Sequence, residues 1–156
     1  MEEKTNVMRI LEKAGVAYEA HSYAADAALS AAQVAEKLKI DPARVFKTLV
    51  TVGRSGAHYV FMLPAEGELD LRKAARAAGE KSVEMVKSKE LLPLTGYIHG
   101  GCSPVGMRKP FRTFVDETAI LCDTIVFSAG KIGRQVEMPL AELGKALPFG
   151  LCDLCV

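Results

Sequence analysis

The strongest constraint on the fold is a pair of apolar, β-branched runs, "VFKTLVTV" at residues 45–52 and "HYVFMLP" at residues 58–64. Each run has the length of a strand and is rich in the residue types that strands favour. The five residues "GRSGA" between them carry two glycines and suit a turn. We therefore expect an antiparallel hairpin here.

Segments with helical or strand periodicity surround this hairpin. Helices are predicted in "NVMRILEKAG", "SAAQVAEKLKI", "DLRKAARAAG", "SKELLPL" and "PLAELGKAL". Among their end signals, Ser30 and Gln33 form a capping box, and Asp70 and Gly79 mark the two ends of one helix. Strands are predicted in "VAYEAHSY", "VEMV", "FRTFVDE", "DTIVFSAG" and "RQVEMP", and the last two would pair across "GKIG".

The order of these elements indicates the fold class, because the strands do not alternate regularly with the helices. That order is typical of an α+β fold. We expect a single compact domain over residues 1–156, with helices packed outside a mostly antiparallel or mixed sheet that curls in the manner of a barrel. Neither a repeat nor a linker interrupts the chain.

Charge and hydropathy exclude several classes of protein. The chain has 20 basic and 19 acidic side chains, whereas a protein that coats nucleic acid carries a strong basic excess. Positive charge concentrates in "RKAAR" (72–76) and "MRKPFR" (107–112), which are either a small contact with one nucleic-acid end or two solvated faces. No window reaches the roughly 18 apolar residues of a membrane span. The acidic start is unlike a secretory leader, so we expect a cytoplasmic protein without a membrane partner.

The four cysteines, at positions 102, 122, 152 and 155, are spaced too unevenly for a disulfide framework. The C-terminal "CDLC" has the spacing of half a zinc site or of a redox pair. A structural zinc needs four ligands, and the chain has neither a second such pair nor paired histidines to complete the set. We therefore predict no metal and no cofactor, and a partly buried C-terminal tail that frays.

Lys47 is the first candidate for a functional residue. It interrupts an otherwise apolar strand, and a buried ammonium is costly unless something pairs with it. Next to a pocket it would hold a phosphate or a carbonyl oxygen as a point charge. On the outer face of the sheet it would be solvated, and the pattern leaves both interpretations open.

The segment "GGCSPVG", residues 100–106, is the second candidate. Gly100 and Gly101 either allow backbone N–H groups to approach a ligand closely or form a tight turn between strands. Cys102 would be a nucleophile only beside a positioned base. In an extended chain the side chain of His99 points to the opposite face, so we expect Cys102 to be a small buried hydrophobe.

Two further sites complete the candidates. Ser128 ends a strand at the loop "FSAGKIG", where its hydroxyl would face the glycine segment or sit in a hairpin turn. His21 and Tyr23 share one face of "HSY" at a spacing of two. The alternative to a functional role for Tyr23 is that its ring simply packs in the core.

Taken together, "HSY", "VFKTLV", "ELDLRKAARAAG", "TGYIHGGCSPVGMRK" and "SAGKIG" resemble the signature segments of YbaK-type proteins. These are free-standing relatives of the editing domain of bacterial prolyl-tRNA synthetases. The resemblance implies an α+β fold around a curled mixed sheet, and hydrolysis of the ester that joins a wrong amino acid to tRNA. It also implies that Lys47 is the key catalytic residue and that the substrate-binding residues are Tyr23, Thr48, Gly100, Gly101 and Ser128.

The YbaK branch of this family removes cysteine from tRNA(Pro), and the resemblance implies that the substrate's own thiol attacks its ester. The implied partners are the acceptor end of a mischarged tRNA and a prolyl-tRNA synthetase. Ala129 and Gln135 stand where the branch often has glycine and an acidic residue, which bears on the preferred amino acid. The alternatives are a deacylase of Ala-tRNA that uses a bound water, and a non-catalytic module that binds tRNA or a synthetase.

Overall fold

The computed structural model describes residues 3–156, which contain five α-helices and eight strands. The helices are α1 (Asn6–Lys13), α2 (Ala31–Leu38), α3 (Leu71–Ala78), α4 (Ser88–Thr95) and α5 (Leu140–Ala146). The strands are β1 (Glu19–Ser22), β2 (Phe46–Gly53), β3 (His58–Pro64), β4 (Val83–Met85), β5 (Arg112–Asp116), β6 (Ile125–Ser128), β7 (Arg134–Met138) and β8 (Gly150–Cys152). The predicted α+β class is confirmed.

The first three helices begin where the sequence provides N-terminal caps, and the third also ends at a predicted glycine cap. Thr5, Ser30 and Asp70 each accept a hydrogen bond from an N–H group in the first turn of α1, α2 and α3, respectively. Gly79 ends α3 with a φ of 74°, a conformation that glycine adopts without a Cβ penalty. None of the helices within residues 3–156 has the length and apolarity needed to cross a membrane.

The strands form two sheets. The five-stranded sheet has the order β4-β2-β3-β5-β8, and the three-stranded sheet has the order β1-β7-β6. In the larger sheet the predicted hairpin of β2 and β3 is antiparallel, whereas β5 pairs parallel with both β3 and β8. An isolated parallel bridge between Val45 and Val126 links the two sheets. The mixed sheet is therefore confirmed, but the described strands do not close into a barrel.

Apolar side chains between the sheets and the helices form the core. One cluster unites α1, α5 and the three-stranded sheet through fully buried residues such as Leu11, Phe127 and Leu143. A second cluster packs α3 against the larger sheet, where the rings of Phe61 and Phe114 stack with centroids 5.4 Å apart. These clusters hold β2 and the end of β6 in fixed positions on either side of the bridge.

The C-terminal tail corrects the sequence interpretation, because it is part of the fold and does not fray. Leu154 is fully buried beyond β8. Its N–H donates to Oδ1 of Asp116 at 2.9 Å, and its carbonyl accepts from the N–H of Asp70 at 2.8 Å. The tail pairs with residues far away in the sequence, so a local pattern does not reveal it.

Candidate active site

A cavity of about 420 Å³ lies between the start of α2, the strand β2, the helix α4 and the adjoining ends of β6 and β7. Much of its wall is apolar and includes Leu29, Val34, Val45, Val50, Met85 and Leu91. Lys47 and His99 also line it, and none of the described lining residues is acidic. Mostly apolar walls with a few convergent polar groups are typical of a ligand site, and this one suits a ligand that is or becomes negatively charged.

Lys47 lines this cavity from β2, which favours the interpretation that places its charge beside a pocket over that of a solvated lysine. The side chain is half-buried, and its Nζ donates a hydrogen bond to the carbonyl oxygen of Ala65 at 3.3 Å. No ion pair within residues 3–156 includes Lys47. Because an ammonium carries three N–H donors, Lys47 keeps donors and its charge for a ligand.

Thr48 is the neighbour of Lys47 on β2 and also lines the cavity. Its Oγ1 atom is buried and has no hydrogen-bond partner among the described residues. A buried hydroxyl left unpaired costs about 1–3 kcal/mol. Sequence reasoning placed Thr48 in the site only through the family resemblance, and the unpaired hydroxyl gives that placement a physical basis.

The two glycines predicted to bind substrate differ in position. Gly100 lines the cavity with a φ of 90°, and a Cβ added to it would lie 2.4 Å from Cβ of Ala28. Gly101 is not among the lining residues, since its Cα faces the backbone of Lys131 and Ile132. The structure therefore brings Gly100 but not Gly101 to the cavity.

Ser128 and Gln135 sit directly opposite each other on β6 and β7, and both line the cavity. Oγ of Ser128 accepts a hydrogen bond from the N–H of Gly130 at 3.0 Å, which leaves the hydroxyl proton available to a ligand. Gln135 is only 5% exposed. Of the two departures from the YbaK pattern, Gln135 therefore belongs to the cavity, whereas Ala129 is fully buried in the core.

Cys102 and His99 both line the cavity, which corrects the argument that placed them on opposite faces. That argument assumed an extended chain, but the chain turns here, as shown by the hydrogen bond of 3.0 Å from the N–H of Gly101 to the carbonyl of Ile98. Burial raises the pKa of the Cys102 thiol to about 12. The thiol stays protonated near neutral pH and is a poor nucleophile. The position of His99 was missed, because only the turn brings it to the cavity.

Tyr23 is the other predicted site residue that does not line the cavity. Its ring packs against the cluster that includes Val34, Val45 and Val126, which supports the core-packing alternative. Its N–H donates to the carbonyl of Gly133 at 3.0 Å and so extends the pairing of β1 with β7. Tyr23 therefore supports the back of the wall formed by Val34 and Val45.

His21 belongs to a network of charged and polar groups beside the three-stranded sheet. Its Nε2 lies 2.7 Å from Oε1 of Glu137, and Arg44 and Thr124 both donate to Oε2 of that carboxylate. Glu19, His21 and Glu137 offer possible metal-ligand atoms that lie within 4.8 Å of one another. Since Glu137 already accepts hydrogen bonds at both oxygens, the arrangement fits an ion-pair network that ties β7 to the segment before β2.

Comparisons with known proteins identify the family of this chain. Residues 25–146 match the sequence model of the family described as the aminoacyl-tRNA editing domain. A protein of Enterococcus faecalis is 48% identical over 138 residues, which are 88% of this chain and 84% of that protein. Its name, which is marked as provisional, is Cys-tRNA(Pro)/Cys-tRNA(Cys) deacylase EbsC. A proline–tRNA ligase of Thermosipho africanus is 34% identical over 77 residues, which are 49% of this chain and 14% of the ligase.

The fold has solved counterparts as well. A crystal structure described, again provisionally, as a trans-editing enzyme for prolyl tRNA synthetase superposes over 99% of each chain with a TM-score of 0.85. Its sequence identity is 24%, so this likeness establishes the shared fold. Since the family match spans most of the chain and the enterococcal relative is similar over 84% of its length, the chain belongs to the aminoacyl-tRNA editing domain family.

Proposed function

We propose that this protein is a trans-acting aminoacyl-tRNA deacylase that hydrolyses cysteine from mischarged Cys-tRNA(Pro). Membership of the editing family and the name of the relative that is 48% identical support this activity. In this proposal, residues 1–156 act as a single editing domain in the cytoplasm. The partners are the acceptor end of the tRNA and a prolyl-tRNA synthetase.

One juxtaposition in the cavity carries the proposal. Lys47, Thr48 and Ser128 all line this cavity, and the hydroxyl of Thr48 has no hydrogen-bond partner among the described residues. The thiol in the same wall, that of Cys102, has a pKa of about 12. The cavity thus offers groups that stabilise an oxyanion but no activated protein thiol, which suits a substrate that brings its own nucleophile.

The thiol of the misacylated cysteine is that nucleophile. Its sulfur forms a bond to the ester carbonyl carbon, and the negative charge that develops on the carbonyl oxygen is stabilised by the Lys47 ammonium. The bond from that carbon to the ribose oxygen then breaks, and the ribose oxygen takes up the proton that the thiol has lost. Water later opens the resulting cyclic thioester to free cysteine. The cavity contributes by holding the thiol and the ester in reactive proximity.

A second mechanism has one observation in its favour, which is the position of His99 in the cavity lining. An imidazole there could take a proton from a water that attacks the ester. This route needs no thiol on the substrate and would allow hydrolysis of Ala-tRNA. The two mechanisms therefore differ in the amino acid that they require.

A deacylation panel on one tRNA body tests the proposal. Cys-tRNA(Pro), Ser-tRNA(Pro) and Ala-tRNA(Pro) differ only in the side chain at the β-carbon, and we expect rapid hydrolysis of the cysteinyl ester alone. Comparable rates for all three substrates would support attack by water. Binding of the tRNA without acceleration of any hydrolysis would instead identify a non-catalytic binding module.

A further inference from the structure

The two basic segments of the sequence occupy different places in the fold. The segment "RKAAR" lies on α3, where Lys73 donates to Asp153 at 2.9 Å and to the carbonyl of Cys155 at 2.7 Å. None of the described residues of α3 lines the cavity. This segment is therefore partly neutralised and lies away from the candidate active site.

The segment "MRKPFR" packs against the cavity wall. Met107 and Phe111 contact the cluster that contains Val50 and Leu91, two residues that line the cavity. The N–H of Arg108 donates to the carbonyl of Thr95 at 3.0 Å. The side chain of Arg108 then passes over the residue that ends α4, with its Cγ 3.3 Å from where a Cβ of Gly96 would stand. Arg108 is thus held at the C-terminal end of α4, and Lys109 follows it in the chain.

Lys87 and Lys89 lie at the other end of the same helix, on either side of Ser88, which lines the cavity. A helix of eight residues is about 12 Å long, so basic groups stand at both ends of the element whose middle forms the wall. We name this surface the basic rim, and it consists of Lys87, Lys89, Arg108 and Lys109.

The basic rim carries positive charge that the protein does not neutralise. All four side chains are exposed, and none takes part in an ion pair within residues 3–156. The nearby acidic residues in sequence are Glu84 and Glu90, which offset only part of this charge. In a chain with 20 basic and 19 acidic side chains, this is a local excess beside the candidate active site.

We propose that the basic rim binds the phosphates of the tRNA acceptor stem while the 3′ end of the tRNA occupies the cavity. The proposal rests on the proposed function, since it takes the ligand of the cavity to be an aminoacyl-tRNA. When lysine and arginine side chains contact phosphates, the counterions bound to the nucleic acid are released. Each contact therefore steepens the plot of log K against log salt concentration by about 0.7–0.9.

Binding of uncharged tRNA(Pro) to two double variants, Lys87→Gln with Lys89→Gln and Arg108→Gln with Lys109→Gln, tests the rim. Fluorescence anisotropy between 50 and 200 mM salt gives the salt slope. We expect each double variant to reduce the slope by about 1.5 and to weaken binding about tenfold or more. The matched control is Arg72→Gln with Arg76→Gln on α3, which makes the same change of net charge and should leave the slope unchanged. Thermal unfolding verifies that every variant is folded.

Deacylation of Cys-tRNA(Pro) by the same proteins separates the two proposals. We expect the rim variants to raise KM and to keep kcat. If the wild-type protein hydrolyses Cys-tRNA(Pro) but the rim variants bind tRNA like the α3 control, the rim proposal is wrong and the proposed function stands. If the rim variants lose tRNA binding while the wild-type protein hydrolyses none of the charged tRNAs, the rim stands and the proposed function is wrong.

Discussion

The ammonium of Lys47 lies 3.3 Å from the carbonyl oxygen of Ala65, just beyond the end of β3. The N–H of Ala65 in turn donates to the carbonyl of Val45 at 2.7 Å, so the acceptor residue is itself held by the residue that precedes β2. A carbonyl is a dipole and carries no net charge. This contact therefore holds the ammonium in place without neutralising it.

Replacing Lys47 tests whether that charge acts on the reaction. Lys47→Met keeps most of the side-chain length and removes the charge, and we expect kcat for Cys-tRNA(Pro) to fall by about 10²–10³-fold, as for loss of one oxyanion donor. Lys47→Arg, which keeps the charge, should lose less. The unfolding temperature should change little, because the residue is half-buried and makes one long hydrogen bond. Turnover by Lys47→Met close to that of the wild type would contradict the assignment.

Thr48→Val should stabilise the folded protein and slow deacylation. The substitution replaces a buried hydroxyl that has no described partner with a methyl group of similar size, so the free energy of unfolding should rise by about 1 kcal/mol. Deacylation should slow, because the substrate loses a hydrogen-bonding group in the cavity. Urea unfolding and single-turnover kinetics measure the two effects. A destabilised variant would mean that the hydroxyl has a partner in solution, and unchanged kinetics would remove Thr48 from the site.

His99→Gln distinguishes the thiol mechanism from the water mechanism. A general base contributes about 10²–10⁴-fold to a rate, whereas a residue that only borders the cavity contributes little. We expect the variant to hydrolyse Cys-tRNA(Pro) within a few-fold of the wild-type rate across the pH range from 5.5 to 8.5. A loss of two orders of magnitude would show that His99 acts in catalysis and would favour attack by water.

Cys102 should be dispensable and slow to react. Burial raises the pKa of its thiol to about 12, so the thiolate fraction at pH 7.5 is far below that of an ordinary cysteine. We expect Cys102→Ser to keep most of the activity, and iodoacetamide to label Cys102 much more slowly in the folded protein than in urea. The labelling rate should rise with pH well beyond pH 9, because the thiolate forms later than in an unperturbed cysteine. Inactivation of the wild type in step with labelling of Cys102 would restore a protein nucleophile.

Gly100 and Gly101 should respond differently to alanine. At Gly100 the added Cβ would meet Ala28 at 2.4 Å in a backbone conformation with a φ of 90°, so we expect Gly100→Ala to cost about 1–2 kcal/mol or more and to impair deacylation. At Gly101 the contacts of a Cβ start at 3.5 Å, an ordinary packing distance. Gly101→Ala should therefore retain both stability and activity. Equal losses in the two variants would show that the whole loop, and not Gly100 alone, borders the substrate.

The sequence by itself determined the elements whose stabilising interactions are local. Ser30, Asp70 and Gly79 identified helix ends correctly because their hydrogen bonds join residues two to four positions apart. The β2–β3 hairpin was predictable for a similar reason, since a short turn joins its two apolar strands. Five signature segments, among them the one around Lys47, together indicated the family, and the comparison with known proteins agrees.

Only the tertiary structure decided how the candidate site is composed. His99 reaches the cavity because the chain turns between Ile98 and Gly101, and Gly101 turns away from the cavity at the same place. Leu154 forms hydrogen bonds with Asp116 and Asp70, which lie 38 and 84 positions earlier in the chain. Such contacts depend on how distant segments pack, and no periodicity or spacing within a segment encodes them. Local hydrogen bonds therefore made the helices and the hairpin predictable, whereas long-range packing decided which further side chains, such as that of His99, share the cavity.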